Sequence, residues 1–267
     1  MKLYCRKYGS GPPLMILHGL FGASDNWVSI ARSLSNRFTV LLPDLRNHGR
    51  SPHSDIHDYD SLSSDIYELA NDLDTGNFFL AGHSMGGRVA MKFALRWPEK
   101  ILGLAIADIS PVASPVRDEK VKEQHCEILN TILECNLTGI RSRSEVNSFL
   151  ESRIGSEKTR ELIMKNLQRN ADNSFAWKIN ASSLLKNIDR IMEGITLTES
   201  GYYQVKGFPV LFLKGENSDY LPEADFREIL RIFPAAEFIT IPHAGHWIHA
   251  DNPVAVRESL LMLAGYD

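Results

Sequence analysis

Residues 77–95 read Asn-Phe-Phe-Leu-Ala-Gly-His-Ser-Met-Gly-Gly-Arg-Val-Ala-Met-Lys-Phe-Ala-Leu. The segment opens on a continuously apolar run, which is typical of a strand buried on both faces of a sheet. Its last eight residues repeat apolar side chains at helical spacing. Between the two runs, Gly82-His83-Ser84-Met85-Gly86 matches G-x-S-x-G. The segment therefore predicts a strand, a sharp turn that exposes Ser84, and a helix.

The two outer glycines of this motif have a physical reason. A serine at such a bend takes a strained backbone conformation, so the residues two before and two after it must be small. Gly82 and Gly86 occupy those positions. A glycine-rich turn with an incidental serine is the alternative interpretation. It accounts for the motif alone, but not for the strand-like and helix-like runs that flank it.

Apolar runs of the same kind alternate with helix-period runs elsewhere in the chain. We predict buried strands at 14–17, 38–42, 77–81, 101–107, 209–213 and 236–241, with an edge strand before Tyr8. Helices are predicted at about 25–35, 61–73, 86–97, 221–233 and 253–263. This alternation predicts an α/β protein with a mostly parallel sheet and right-handed crossovers.

The alternation is interrupted in the middle of the chain. After Ser110-Pro111 the sequence becomes polar and poor in strand-like runs, and apolar side chains recur every three or four residues. Examples of this spacing are Val121, His125, Ile128, Leu129 and Ile132, and further on Leu162, Ile163 and Leu167. We therefore predict a core of residues 1–115 and 201–267, with residues 116–200 forming a helical cap over the strand ends.

Composition narrows the possible functions. The 267 residues, 43% hydrophobic and 23% charged, suit one large domain or one domain with an insertion. A net charge of −4 argues against a nucleic-acid-binding protein, which would normally be basic. The three cysteines fit no metal or disulfide pattern, and no apolar run is long enough for a signal peptide or a membrane span. We expect a cytoplasmic protein with no nucleic-acid partner, no membrane span and no metal.

Acyl transfer through a serine needs hydrogen-bond donors aimed at the oxygen that becomes negative. One donor should be the backbone N–H of Met85, directly after the serine. The other should come from the loop after an earlier strand, which here is His18-Gly19-Leu20-Phe21-Gly22. We assign this second donor to the N–H of Leu20.

The general base is expected after the last strand, because the chain order for this motif is serine, acid, histidine. The segment there is Pro242-His243-Ala244-Gly245-His246-Trp247, and both histidines could serve in principle. We favour His246, because Gly245 lets the loop bend toward the serine. His243 is interpreted as structural or exposed, and His83 inside the motif as a packing residue.

The acid that orients the base is ambiguous from the residues alone. Its usual place is the loop after the penultimate strand, Lys214-Gly215-Glu216-Asn217-Ser218-Asp219. Glu216 is interpreted as solvated. Asp219 remains a candidate if the loop adjusts by one residue.

Four segments together resemble the α/β-hydrolase superfamily. They are His18-Gly19-Leu20-Phe21-Gly22, Asp44-Leu45-Arg46-Asn47-His48-Gly49-Arg50-Ser51, Gly82-His83-Ser84-Met85-Gly86-Gly87 and Ala244-Gly245-His246-Trp247. More narrowly, the chain resembles the YbfF-type esterases and ABHD11-like proteins over nearly its whole length. The resemblance is weakest in the insertion, where Trp177-Lys178-Ile179-Asn180 is nevertheless similar. It implies an α/β-hydrolase fold with a helical lid.

The resemblance also bears on the acid. In many α/β-hydrolases the acid lies three residues after the loop glycine, where this chain departs from the pattern with Ser218. The YbfF-type proteins share a serine there and take the acid from the end of the preceding strand, which is Asp108 here. The resemblance thus implies Asp108 as the carboxylate, with Ser218 hydrogen-bonded to His246 and Asp219 as the alternative. Neighbouring strand ends of a parallel sheet meet at one edge, so this placement is physically possible.

Other tempting residues have simpler explanations or remain open. The cluster that begins at Asp44 mixes arginine with histidine, which argues against a metal site, so we interpret it as a loop whose Asp44 binds backbone amides. Aromatic side chains could line an acyl pocket or simply belong to the core. These candidates are Phe21, Trp27, Trp177 and Trp247.

The sequence as a whole predicts a serine hydrolase that cleaves acyl esters through an acyl-enzyme and needs no cofactor. Its expected partner is a small-molecule acyl ester or acyl thioester. A catalytically silent binding or scaffold protein of the same fold is the first alternative, and a lyase or haloperoxidase-like use of the same residues is the second. The chain keeps both nucleophile and base, which opposes the silent protein. Its oligomeric state is open.

Overall fold

The computed structural model describes residues 1–195 and 204–266. In those ranges the strands are β1 (Cys5–Tyr8), β2 (Pro13–Leu17), β3 (Thr39–Pro43), β4 (Phe78–His83), β5 (Ile101–Ala107), β6 (Leu167–Arg169), β7 (Phe175–Trp177), β8 (Val210–Gly215) and β9 (Ala236–Ile241). The helices are α1 (Val28–Leu34), α2 (Tyr59–Asp72), α3 (Met85–Arg96), α4 (Pro115–Glu134), α5 (Arg143–Glu151), α6 (Glu157–Met164), α7 (Ala181–Lys186), α8 (Ile188–Met192), α9 (Phe226–Ile232), α10 (Ile248–Asp251) and α11 (Pro253–Leu263).

Seven of these strands form one sheet in the order β1-β3-β2-β4-β5-β8-β9. Within this sheet, as far as the structure describes it, the edge pair β1–β3 is antiparallel and the other pairs are parallel. The predicted mostly parallel sheet is therefore confirmed. The edge strand predicted before Tyr8 is β1.

The strand ends are in register at one edge of the sheet. Leu17 of β2 pairs with Gly82 of β4, and His83 pairs with Ala107 of β5. Ala107 in turn pairs with Leu213 of β8. The chain segments that follow these four strands therefore emerge side by side, which is where ligands bind in open α/β sheets.

Apolar side chains alternate between the two faces of the sheet, as the pleat requires. On β2, Leu14 and Ile16 pack with α1 and α11, whereas Met15 and Leu17 belong to the apolar cluster beneath α2 and α3. The sheet is thus covered by helices on both faces. The cluster beneath α2 and α3 continues into buried side chains of the insertion, such as Leu129 of α4.

The insertion lies between β5 and β8. In it, α4 packs against α7 and α8, and α5 packs against α6. We call α4 to α8, with the segments joining them, the cap. The cap begins at Pro115, one residue before the predicted position. The predicted boundary at residues 200 and 201 lies outside the described residues.

One feature of the insertion was predicted wrongly. It contains a short antiparallel hairpin of β6 and β7, in which Leu167 pairs with Trp177. Leu167 therefore lies in a strand and does not continue the helical spacing of Leu162 and Ile163.

Within 1–195 and 204–266, no helix combines the length and the apolar character needed to cross a membrane.

Candidate active site

Ser84 lies at the turn between β4 and α3. Its backbone has φ 53° and ψ −121°, a left-handed conformation that is strained for a residue with a side chain. The backbone N–H of Ser84 donates to the carbonyl of Ala107, at 3.0 Å, and its own carbonyl accepts from the N–H of Gly87, at 2.8 Å. Hydrogen bonds at both the N–H and the carbonyl of Ser84 therefore hold the strained turn.

The two outer glycines permit this turn because other backbone lies against them. A Cβ at Gly82 would lie 2.2 Å from the carbonyl oxygen of Gly86. A Cβ at Gly86 would lie 2.5 Å from the carbonyl oxygen of His18. Neither distance is compatible with a side chain, so glycine is needed at both positions, as the sequence predicted.

Ser84, His246 and Asp108 form one continuous chain of polar contacts. The Oγ of Ser84 lies 3.0 Å from Nε2 of His246. Nδ1 of His246 lies 2.8 Å from Oδ2 of Asp108. The carboxylate accepts from Nδ1–H, which leaves Nε2 unprotonated and able to accept the serine proton. The imidazole thus has the tautomer that a general base needs.

Asp108 directly follows β5 and is completely buried. Its backbone is also left-handed, with φ 52°, and its N–H donates to the carbonyl of Leu213, at 2.8 Å. The carboxylate accepts from the N–H of Gly215 at 2.9 Å, from the hydroxyl of Ser218, and from His246. Three donors on one buried carboxylate hold it in one orientation.

The structure corrects one expected contact. Ser218 donates its hydroxyl hydrogen to Oδ2 of Asp108 and forms no hydrogen bond with His246 among the described residues. Nδ1 of His246 is not available to Ser218, because its hydrogen is already donated to the same oxygen of Asp108. The alternative acid, Asp219, is exposed, and within the described residues neither a hydrogen bond nor an ion pair joins it to His246.

The two predicted oxyanion donors lie beside Ser84. Met85 is the first residue of α3, so its N–H has no partner within the helix. The N–H of Leu20 makes no hydrogen bond to any described residue. Gly19 lets the Leu20 loop approach the turn, because a Cβ there would lie 3.1 Å from the Cβ of Ser84. Two free amides therefore border the nucleophile.

A small cavity adjoins Ser84 between the core and the cap. Its volume is about 30 Å³, which is room for one or two water molecules. Its wall combines apolar side chains with several polar ones. The lining residues include Leu20, Tyr59, Met85, Arg88, Ile109, Arg117, Asp118, Val121, His125, Ile191, Met192 and Tyr220.

Two aromatic residues of this site were not singled out from the sequence. The ring of Tyr220 stacks on His246 with 3.6 Å between the ring centroids. Burial, and next the charge of Asp108, raises the pKa of Tyr220 to about 12, so its phenol stays neutral. His125 of α4 also lines the cavity, and burial is the main reason that its pKa falls to about 3. The sequence offered one signal for His125, because this histidine lies on the apolar stripe of a predicted helix.

The predicted pocket aromatics lie elsewhere. Phe21 is buried and packs edge-on against His125, with 5.5 Å between centroids, but does not line the cavity at Ser84. Trp177 lies in the cap hairpin and lines a separate hollow with Ile132 and Leu133. The positions of these aromatic residues in the sequence do not show whether they line the pocket at Ser84.

Trp247 and Trp27 line a second cavity of about 280 Å³. This cavity lies between the Leu20 loop, α6 of the cap and α10, and Leu20 also borders the cavity at Ser84. His249 stacks on Trp27 here, with 4.6 Å between centroids. Trp247 therefore lies beside the site rather than in contact with the small cavity.

Three further polar side chains near the site, His18, His83 and Asp44, make structural contacts. Nε2 of His18 accepts from the N–H of Leu45 at 2.9 Å, which braces the loop. His83 is buried, and its Nε2 lies 2.8 Å from the carbonyl of His246. Asp44 accepts from the backbone N–H of Ser24 at 2.6 Å and of Arg50 at 2.8 Å.

Comparison with known proteins gives consistent matches. The chain is 36% identical over 259 residues to an sn-1-specific diacylglycerol lipase ABHD11 from Danio rerio, covering 95% of this chain and 78% of that protein. It is 29% identical over 252 residues to esterase YbfF from Escherichia coli (strain K12), covering 93% and 91%. A solved structure described as a marine microorganism esterase superposes with a TM-score of 0.92 at 41% identity, covering 98% and 99%.

The match extends to the family level. The family model described as alpha/beta hydrolase fold matches residues 12–253, which is most of the chain. That range contains the Ser84 turn, the strand that ends before Asp108, and the loop that carries His246. The chain therefore belongs to the α/β-hydrolase fold family.

Proposed function

We propose that the protein is a serine hydrolase that cleaves carboxylic acyl esters through an acyl-enzyme intermediate. The observation that carries this proposal is the unbroken chain from Ser84 through His246 to Asp108, with separations of 3.0 and 2.8 Å. A nucleophile, a base and an orienting acid in this order are what acyl transfer needs. The related proteins named as esterases and lipases support ester hydrolysis.

The first half of the reaction transfers the acyl group to the protein. His246 takes the proton of Ser84 through Nε2 while the serine Oγ attacks the ester carbonyl. The free amides of Leu20 and Met85 stabilise the negative oxygen of the tetrahedral intermediate. When this intermediate collapses, the protonated imidazole gives its proton to the departing alcohol, and the acyl group remains on Oγ.

Water completes the cycle by the same route. His246 removes a proton from water, which attacks the acyl-enzyme and releases the carboxylic acid and free Ser84. Asp108 stabilises the imidazolium in both halves without taking its proton. The donors Gly215 and Ser218 hold the carboxylate for that role.

The cavity at Ser84 supports a preference for short acyl groups. Its volume of about 30 Å³ leaves no room for a long chain while the cap is in its present position. Acyl thioesters are a secondary substrate class in this proposal, because the same attack and collapse apply to a thioester carbonyl. A lyase or haloperoxidase-like activity has no comparable support from the site.

The proposal is tested by hydrolysis of p-nitrophenyl esters from acetate to laurate, with wild type and Ser84→Ala. The variant should lose about 10⁴-fold or more in kcat with an unchanged circular dichroism spectrum. Wild type should favour acetate and butyrate over longer chains. Retained turnover in Ser84→Ala would refute the mechanism. A preference for laurate would refute the short-chain specificity alone, and a folded wild type without turnover would favour the binding protein.

A further inference from the structure

Asn47 links the core loop to the cap. It lies in the Asp44–Ser51 segment, is completely buried, and has a left-handed backbone with φ 65°. Its carbonyl oxygen accepts from the N–H of Asn180 at 2.9 Å. Its side-chain Oδ1 accepts from Nδ2 of Asn180 at 3.0 Å. One core asparagine therefore binds both the backbone and the side chain of the residue that caps the N-terminus of α7 in the cap.

The remaining contacts of Asn47 fix the direction of its side-chain amide. Oδ1 also accepts from the backbone N–H of Ser54 at 2.8 Å, so this oxygen faces two donors. Nδ2 must then face the other way, where it lies 3.3 Å from Oγ of Ser183 and 3.2 Å from Nδ1 of His57. Because an amide nitrogen only donates, Nδ1 of His57 must be the acceptor.

That constraint fixes the tautomer of His57. With Nδ1 unprotonated, the hydrogen of the neutral ring lies on Nε2, which is 3.5 Å from Sδ of Met85. Burial, and next the charge of Arg46, lowers the pKa of His57 to about 3, so the ring remains neutral at ordinary pH. His57 therefore donates to the thioether sulfur of Met85, which is a weak acceptor.

Met85 is the residue at which these contacts reach the candidate active site. Its side chain is buried and lines the small cavity, and its backbone N–H follows Ser84 directly. A change in the position of this side chain would alter the cavity wall beside the backbone N–H that we assign as an oxyanion donor. Misplacement of an oxyanion donor lowers kcat more than KM, because its interaction is strongest in the transition state.

We propose that Asn180, Asn47 and His57 form a positioning relay that couples docking of the cap to the placement of Met85 beside Ser84. His57 and Asn47 are positioning residues, since neither touches the reacting atoms. The relay also accounts for two segments that the proposed reaction leaves unused, the Asp44–Ser51 loop and the Trp177–Asn180 segment. Its kinetic effect rests on the proposed function.

The first test compares His57→Phe with His57→Gln. Phenylalanine keeps a ring but removes both nitrogens, whereas glutamine retains a side-chain N–H that can donate to Met85. With a p-nitrophenyl acetate substrate, His57→Phe should lower kcat about tenfold with little change in KM, and His57→Gln should recover most of the loss. Equal kcat values for His57→Phe and wild type would overturn the relay, as would an equal loss in both variants.

The second test needs no turnover. The methyl resonance of Met85 is followed by NMR in protein labelled with ¹³C-methyl methionine and assigned with Met85→Leu. Asn180→Asp keeps the acceptor that caps α7 but removes the donor to Asn47. The matched control is Asn187→Ala, which removes the bonds from Nδ2 of Asn187 to the carbonyls of Asp55 and Ser183, neither of which is a bond of the relay.

Asn180→Asp should shift the Met85 methyl resonance, and Asn187→Ala should leave it in place. An unshifted resonance in Asn180→Asp, or an equal shift in both variants, would overturn the relay. Wild-type protein without esterase turnover would instead refute the proposed function, and the NMR comparison would still decide the relay. If His57→Phe fails to fold, the NMR comparison of Asn180→Asp with Asn187→Ala decides the relay by itself.

Discussion

The core and the cap contribute to the site by different physical means. In the core, backbone geometry places the reacting groups: Ser84 and Asp108 both have left-handed backbones, and Gly82 leaves space where other backbone approaches. In the cap, side-chain hydrogen bonds join separate elements, as Asn180 does with Asn47. A positive φ angle is a property of one residue, whereas the bond between Asn180 and Asn47 joins residues more than one hundred positions apart.

This difference bears on which part of the molecule carries the reacting groups and which part could control them. Strain at Ser84 and Asp108 costs on the order of 1–3 kcal/mol per residue, so the surrounding sheet must be rigid to keep it. Side-chain hydrogen bonds such as that between Asn180 and Asn47 contribute about 1 kcal/mol each. We therefore propose that the core carries out the reaction and that the cap controls how the substrate reaches it.

Replacing the core acid should give the largest change among the site variants beyond the nucleophile. Asp108→Asn keeps the size of the side chain but loses the charge that stabilises the imidazolium and selects its tautomer. We expect kcat to fall about 10⁴-fold, measured with a short p-nitrophenyl ester. The matched control Asp219→Asn changes an exposed carboxylate in the same region.

Asp219→Asn should retain nearly full activity. A large loss in Asp219→Asn together with a small loss in Asp108→Asn would contradict the role of Asp108. It would also mean that the loop after β8, rather than the end of β5, supplies the orienting carboxylate.

Ser218→Ala should have a smaller effect than loss of the acid itself. It removes one of three donors to the buried carboxylate, and a hydrogen bond to a charged group contributes about 1.5–3 kcal/mol. If this contribution is expressed at the transition state, kcat should fall about 10- to 100-fold. The kinetics of Ser218→Ala and Asp108→Asn are measured side by side. A larger loss in Ser218→Ala would reverse the assigned roles.

A third prediction concerns His57, which lies where core and cap meet. Its pKa is about 3 in the folded protein and about 6.5 when unfolded. Between these values the unfolded chain binds a proton that the folded chain does not, so stability is lost as pH falls below about 6.5. At pH 5 this proton costs the folded state about 2 kcal/mol.

Urea unfolding of wild type and His57→Phe at pH 7.5 and pH 5.0 measures this contribution. Between the two pH values, the variant should lose about 2 kcal/mol less of its unfolding free energy than wild type. Comparing each protein with itself cancels the cost of the substitution at neutral pH. The same decrease in both proteins would show that His57 is not held neutral by the fold.

The strands, the Ser84 turn and the base were predictable because their causes are local. A buried strand, two glycines and a following helix are adjacent in the sequence, and His246 follows the last strand directly. The prediction of Asp108 needed the family resemblance as well, because nothing near this residue in the sequence marks it as the acid. Its position at the strand end agrees with the resemblance to the YbfF-type esterases.

The rest of the site depends on how the cap docks, which local patterns do not encode. Trp177 was a reasonable pocket candidate, yet the short hairpin of β6 and β7 places it in a separate hollow. Tyr220 lies outside the cap, in the segment after β8, and stacks on His246 from the segment after β9, a pairing that neither segment shows by itself. His125 faces the Ser84 cavity through the packing of α4, and a helical repeat does not specify which face meets the core.

Covalent labelling of Ser84 tests the nucleophile most directly. Purified protein is treated with a fluorophosphonate, and the modified peptide is located by tandem mass spectrometry in wild type, Ser84→Ala and His246→Ala. A single adduct on Ser84 in wild type, none in Ser84→Ala and a strongly slowed reaction in His246→Ala is the predicted result. Rapid labelling at another residue, or a folded wild type that stays unmodified, would contradict the assignment of Ser84 as an activated nucleophile.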